Sequence, residues 1–437
     1  MSATIVREAA QNPLYHELFP GGKRAAQAIV SICSANSYVL RAALERAARA
    51  GRPALIEATA NQVDQNGGYT GMTPQDFVRF VEEIAEQMHF PKDRLVLGGD
   101  HLGPLVWRSE EERTAMDKAE TLVRAYVGAG FTKIHLDTSM RLKDDDPERP
   151  FPPEVAARRT TRLLAACEAA WQERRARVPS APAPVYVTGS EVPVPGGTVS
   201  DEALSVTSVA DFENVVRIFS QSFRDAGLDD ALSRVVAVVV QPGVEFGNAD
   251  VHGYDACAAR ALMEALAHHP GLVFEGHSTD YQTRNALHDM ARDGVVIQKV
   301  GPALTFALRE GLYALSKIEE LLAEDGEETS QFLHTLEQAM LEEPKYWQAY
   351  YHGTPKAQAR ERIFGQSDRC RYYLSDARVR RAMDVLIQNL ERKEIPYPLL
   401  SQFLPLQYEK IRAGQLANRP EALLIDKVGC VIDSYIF

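Results

Sequence analysis

From residue 28 onward, short β-rich runs alternate with longer amphipathic ones, and few architectures accept so regular a pattern. Ala28–Cys33 precedes a helix near Ser37–Ala50. Ala54–Ala58 precedes a helix that starts after Thr73, a good N-cap, with Pro74 in the first turn. Leu95–Gly99, Lys133–Asp137, Val185–Glu191, Arg234–Gln241, Gly271–His277 and Gly294–Lys299 continue the series, each followed by a helix. Eight such units over roughly 290 residues come close to the roughly 250 typical of a (β/α)8 barrel. A doubly wound open sheet rarely needs eight regular units, and no Gly-rich dinucleotide turn is present here. The expected fold is α/β: a (β/α)8 TIM barrel over residues 1–324, including an N-terminal lead-in. A C-terminal all-helical extension, residues 325–437, is expected to pack on it. In the extension Glu327–Glu343, Asp376–Glu391 and Phe403–Gly414 read as helices punctuated by prolines.

Composition narrows the setting. The formal charge of −12 argues against a nucleic-acid surface, which needs a clustered basic face, but a local pocket can still be positive. The 5 cysteines (Cys33, Cys167, Cys257, Cys370 and Cys430) are scattered, with neither zinc nor disulfide spacing. No apolar run approaches a membrane span and no signal peptide opens the chain, so a cytoplasmic protein without membrane or nucleic-acid partners is expected.

In a barrel of parallel strands, chemistry is done at the carboxyl ends. The polar residues there are Ser34, Glu57 with Asn61 and Gln62, Asp100 with His101, Asp137, Glu191, Gln241, Glu275 with His277, and Lys299. So many ionisable groups at one end are costly unless they bind something. Asp100-His101 would set a proton-transfer group beside a metal ligand. Glu275 and His277, two apart, point to the same side of their strand. With His101 and Glu191 they offer two imidazoles and two carboxylates, a set suited to zinc, with manganese, cobalt or nickel as alternatives. His135 lies deeper in its strand and reads as a satisfied core residue.

Ser278, Thr279, Lys299 and Thr305 fall in the loops after strands seven and eight, a common phosphate site in barrels, although plain N-capping explains the hydroxyls equally well. Gly67-Gly68 and Gly196-Gly197 read as lids over the mouth or as simple turns. No Gly-x-Ser-x-Gly elbow occurs, Ser34 sits in Cys-Ser-Ala, and Cys33 reads as buried strand, so serine or cysteine nucleophiles are set aside. The run Arg369-Cys-Arg371-Tyr372-Tyr373 is either surface packing or a place from which an arginine folds back over the mouth.

Several long motifs carry a resemblance: Glu57-Ala-Thr-Ala-Asn61, Gly98-Gly-Asp-His-Leu-Gly-Pro104, Glu191-Val-Pro-Val-Pro-Gly-Gly197, Glu275-Gly-His-Ser-Thr-Asp-Tyr-Gln-Thr-Arg284 and Lys299-Val-Gly-Pro-Ala-Leu-Thr305. They resemble the non-catalytic subunit family of tagatose-bisphosphate aldolase, over nearly the whole chain. The family includes D-tagatose 6-phosphate 4-epimerases and is distantly similar to metal-dependent class II aldolases. The resemblance implies a divalent-metal isomerase that interconverts D-tagatose 6-phosphate and D-fructose 6-phosphate, or the free sugars, by retro-aldol cleavage and re-addition. Asp100 and Glu191 would be its acid/base residues. His101, Glu191, Glu275 and His277 would be its ligands. Ser34, Glu57, Asn61, Asp137, Gln241, Ser278, Thr279, Lys299 and Thr305 would contact substrate. The alternative is a non-catalytic subunit that stabilises a separate aldolase chain; association with such a chain or with further copies of itself is expected. Where class II aldolases carry two later histidines, this chain has Gln241 and Glu275, with His277 displaced by two positions.

Overall fold

The structure, a computed structural model, describes residues 11–189 and 205–436. Eight parallel strands close into a barrel in sequence order: β1 Ile29–Cys33, β2 Ala54–Thr59, β3 Leu95–Leu102, β4 Lys133–Leu136, β5 Val185–Thr188, β6 Val235–Val240, β7 Val273–Gly276 and β8 Val295–Val300. β1 pairs with both β2 and β8, with Ser31 level with Leu55 on one side and Lys299 on the other. The chain is a (β/α)8 barrel with a helical extension, as its alternating runs predict. A two-stranded ribbon, Glu245–Phe246 with Val251–His252, is an addition after β6 that the pattern does not announce. Among the described residues no helix is long and apolar enough to cross a membrane.

The barrel interior is layered. At the amino end, Ile29, Leu55, Val96, Val185, Val236, Val273 and Val296 form an apolar plug with Leu14, Leu18 and Phe19 of the lead-in. The short helix Pro13–Leu18 is tied in place by Asn12, whose Nδ2 donates to Thr132 O (2.9 Å) and Ala183 O (3.0 Å). The carboxyl end is ionic. The amino end is thus closed by apolar side chains, and the polar groups face the mouth.

Local signals set the helix starts. Asn36 Oδ1 accepts from Tyr38 N at the head of Ser37–Ala50, and Thr73 and Asp76 cap Pro74–Gln87 reciprocally. The extension has more helices than its sequence suggests: Phe332–Glu342, Pro355–Phe364, Ala377–Glu391, Tyr397–Phe403, Pro405–Arg412 and Pro420–Ile432. The expected Phe403–Gly414 helix is Pro405–Arg412, started by Pro405, and an unexpected helix, Tyr397–Phe403, ends just before it. Pro355–Phe364 and Pro420–Ile432 went unread. The latter packs on Ser37–Ala50 and on the eighth barrel helix, Pro302–Leu322, and so covers the seam between the first and last barrel units. There the buried Arg46 guanidinium meets Asp426 (2.7 Å) and Asp433 (2.9 Å), and Lys410 reaches the same Asp426 at 2.8 Å.

Candidate functional site

The upper barrel interior holds a lattice of buried charges. Residues two apart share a strand face, so Lys133 and His135 on β4 both enter the barrel. Lys133 Nζ lies 2.8 Å from Glu57 Oε1 and 2.7 Å from Glu275 Oε2. Lys299 Nζ lies 3.0 Å from Glu57 Oε2, 2.6 Å from Asp100 Oδ1 and 3.5 Å from Glu275 Oε1. Ser31 Oγ donates to Glu57 Oε1 at 2.6 Å. Buried charges persist only when compensated, and here two ammonium groups serve three carboxylates. Gly98 makes the arrangement fit: in register it stands beside Glu57 and Lys133, and a Cβ there would come within 2.6 Å of Glu57 Cγ.

Burial opposes charge on Lys299, but Asp100, Cys33, Glu275 and Glu57 outweigh it and hold the ammonium well above its ordinary pKa. Burial likewise opposes ionisation of Asp100, yet His101, Lys299 and His135 keep its carboxyl well below the usual range. A carboxylate so pinned is a poor proton acceptor.

Above the lattice three imidazoles converge. Their ring centres lie 4.8 Å apart for His101–His277, 5.2 Å for His101–His135 and 5.2 Å for His135–His277. β3 shifts register between Gly99 and Leu102, and His101 takes φ 47°, so the simple alternation of a strand fails at the Asp100-His101 pair. His101 Nδ1 lies 2.9 Å from Asp137 Oδ2. Burial disfavours a charge on His101, but Asp100 and Asp137 together raise its pKa. Asp137, despite burial, is lowered to about 2 by His101, and also accepts from Ser139 N and Oγ. His277, buried and near Lys299 and His101, is pushed down to about 3 and stays neutral, its Nε2 3.0 Å from Glu275 Oε1.

One set of four could hold a cation: ligand atoms of Asp100, His135, Glu275 and His277 lie within 4.8 Å of one another, all buried. The donors fit a divalent ion. His135 Nδ1 is 2.9 Å from Asp100 Oδ1, while its Nε2 is buried without a hydrogen-bond partner among the described residues. The same Nδ1 accepts from His101 N at 3.2 Å, so Nε2 is the ring nitrogen left over for a further partner. The reading of His135 as a satisfied core residue is therefore corrected. It enters the cluster where His101 was expected, because His101 is turned toward Asp137. Glu191, expected as ligand and acid/base, and Gly196-Gly197 lie outside the described residues.

A cleft of about 660 Å³, its open mouth included, sits over this floor. Asn61, Asp100, His101, His277, Ser278 and Lys299 line it. The other expected substrate contacts are engaged elsewhere. Glu57 lies beneath the cleft in the lattice, and Asp137 stands behind His101. Ser34 Oγ accepts from Asn36 N, and Gln241 Oε1 accepts from Gly243 N and Val244 N in a turn. Thr279 Oγ1 donates to Lys299 O, and Thr305 Oγ1 to Pro302 O. Lys299, expected at a phosphate, points its ammonium at carboxylates. The start of helix Pro302–Leu322, expected to hold phosphate, is filled by Asp280, whose Oδ1 accepts from Gly301 N (3.1 Å) and Ala303 N (2.8 Å). Burial lifts the Asp280 pKa to about 6.

Sequence reasoning missed Lys133, Asp280, Tyr69 and Phe246. Lys133 was legible, since it stands two residues from His135 on one strand face. Arg371 and Tyr372 of the extension do fold over the mouth and line the cleft.

Residues 21–437 match the family described as D-tagatose-1,6-bisphosphate aldolase subunit GatZ/KbaZ-like. The chain is 45% identical over 410 residues to the D-tagatose-1,6-bisphosphate aldolase subunit GatZ of Salmonella dublin, covering 94% of this chain and 95% of that one. It is 46% identical over 411 residues to the same-named subunit of Salmonella heidelberg, with the same coverage. A crystal structure described as a probable tagatose 6 phosphate kinase from Sinorhizobium meliloti 1021 superposes with TM-score 0.85 at 44% identity, covering 94% of this chain and 99% of that one. These relatives overturn the expectation of an isomerase: the curated proteins are named as subunits of an aldolase, not as epimerases. With the match running from residue 21 to 437, the chain belongs to the GatZ/KbaZ-like family of D-tagatose-1,6-bisphosphate aldolase subunits.

Proposed function

We propose that this chain is the companion subunit of a tagatose-1,6-bisphosphate aldolase, binding and stabilising a separate catalytic chain, with a barrel mouth that takes up a phosphorylated tagatose. The observation that carries the reading is the 45% identity, over almost the full length of both chains, to proteins named as subunits of that aldolase. A subunit requires another chain. The names of the relatives and of the Sinorhizobium structure share one chemistry, tagatose bearing phosphate. The cleft suits a polyol: Asn61, Gln62 and Ser278 offer amide and hydroxyl groups over an ionic floor.

Asp100, His135, Glu275 and His277 would hold a divalent ion, and zinc suits their mixed nitrogen and oxygen donors. Such an ion would supply a Lewis acid toward sugar oxygens. In this reading residues 1–324 carry the floor, and residues 325–437 brace the barrel and complete the cleft. A reducing cytoplasm suits the chain's described cysteines, which are all free.

The test is co-expression with the catalytic chain of a class II tagatose-bisphosphate aldolase. The two should elute together in size-exclusion chromatography, and aldolase activity should survive longer at 37 °C than that of the catalytic chain alone. Separate elution with an unchanged lifetime overturns the proposal.

A further inference from the structure

The cleft has an anion problem. Its floor is lined with carboxylates, Lys299 is committed to them, and the helix start beside it is filled by Asp280. What remains is the rim contributed by the extension. The segment Arg369–Tyr372 is a single 3-10 turn, entered through Asp368 at φ 47° and anchored to the eighth barrel helix by Arg309 Nε to Asp368 Oδ1 at 3.0 Å.

The Tyr372 hydroxyl lies between two guanidinium groups. Its oxygen accepts from Arg369 Nη1 at 3.2 Å and from Arg371 Nη2 at 3.1 Å. A phenol oxygen has two acceptor positions and one hydrogen. With both acceptor positions filled, the hydrogen must point away from the arginines, and it has no acceptor among the described residues. The ring cannot turn to find one: it stacks on Tyr346 at 4.7 Å and 5°, and meets Tyr69 edge-on at 4.8 Å. Both Tyr372 and Arg371 line the cleft. Arg371 spends its two Nη1 hydrogens on Ser367 O and Asp368 O, which leaves Nε–H and one Nη2–H without acceptors among the described residues. Burial disfavours a tyrosinate, but Arg371 and Arg369 outweigh it and lower the pKa of Tyr372, which strengthens the hydroxyl as a donor.

We propose that the Tyr372 hydroxyl and the Arg371 guanidinium form an anion-gripping rim that takes the phosphate monoester of the sugar. This rests on reading the cleft as a sugar-phosphate site. The extension is then part of the binding site, and the specificity for a phosphorylated over a free sugar resides outside the barrel.

The experiment is calorimetric titration of the full chain with D-tagatose 6-phosphate, with free D-tagatose and with inorganic phosphate as competitor. Tyr372→Phe keeps the ring stack and removes only the hydroxyl. It should weaken the phosphorylated sugar by roughly 10- to 100-fold, the usual worth of a hydrogen bond to a charged group, with free tagatose changed less than about twofold. Arg371→Lys should lose part of that preference. Inorganic phosphate should compete against wild type and not against Tyr372→Phe. Equal loss for both sugars, or no loss for either, overturns the rim. Wild-type protein that binds neither sugar overturns the reading of the cleft and the rim with it.

Discussion

Lys299 Nζ stands 2.6 Å from Asp100 Oδ1, the shortest of the contacts that this ammonium makes with its three carboxylates. The pair defines what the barrel mouth is: a compensated ionic floor, with its lysine facing down and its free donors higher up.

Removing that cation is therefore a question of stability before it is one of binding. Lys299→Met should lower unfolding free energy by about 3–5 kcal/mol, since it leaves buried carboxylates short of a counter-charge. Urea denaturation measures it. A loss below about 1 kcal/mol would show that water or protonation replaces the lysine at little cost.

Metal content discriminates between the two ligand sets. Purified protein should bind about one divalent ion per chain by mass spectrometry of metals. His135→Ala and His277→Ala should each lose most of it. His101→Ala, whose ring is turned toward Asp137, should retain more. The reverse order would restore His101 as the ligand.

Asp280 makes the stability of the mouth depend on pH. Its pKa is about 6 when folded, above the ordinary 3.8, so the folded chain holds that proton more tightly than the unfolded one. Its contribution is fully present below about pH 4 and is lost as pH rises through 6. Asp280→Asn keeps an acceptor for Gly301 N and Ala303 N without the charge. Relative to wild type it should gain on the order of 2–3 kcal/mol between pH 4 and pH 8. Denaturation curves at the two pH values check this, and a difference that does not move with pH would reject it.

The seam helix provides a fourth test. Arg46→Met leaves Asp433 and part of Asp426 without their cation, although Lys410 still holds the latter. Hydrogen exchange in Pro420–Ile432 should then rise well before exchange in the barrel strands. Gly429→Ala should act similarly, since its Cβ would fall 2.3 Å from Arg46 Cζ. Uniform exchange across barrel and seam would mean that the helix is held by apolar packing alone.

The barrel was legible because its signal is local and repeated: eight apolar runs, each with a helix behind it. The polar mouth was legible for the same reason, as strand ends are countable. Ligand assignment at the mouth was not. A register shift and a left-handed residue at Asp100-His101 break the alternation on which such counting rests, and so exchange the places expected of His101 and His135. Lys299 looked like a phosphate contact because its carboxylate partners come from other strands, Glu57 being 242 positions away. Arg371 and Tyr372 were noticed as an odd run, but their reach over the mouth depends on packing that no periodicity encodes.

The lock between Arg46 and Asp426 joins positions 380 residues apart, across the seam where the last barrel unit meets the first. During synthesis the first barrel helix emerges long before Pro420–Ile432, so that guanidinium waits for its partner while β2 to β8 are made. Sealing of this seam is thus a later event than the pairing of β1 with β8 that closes the barrel itself. A nascent chain stalled anywhere before Pro420 would present an unsealed edge to whatever chaperone or partner chain stands nearby.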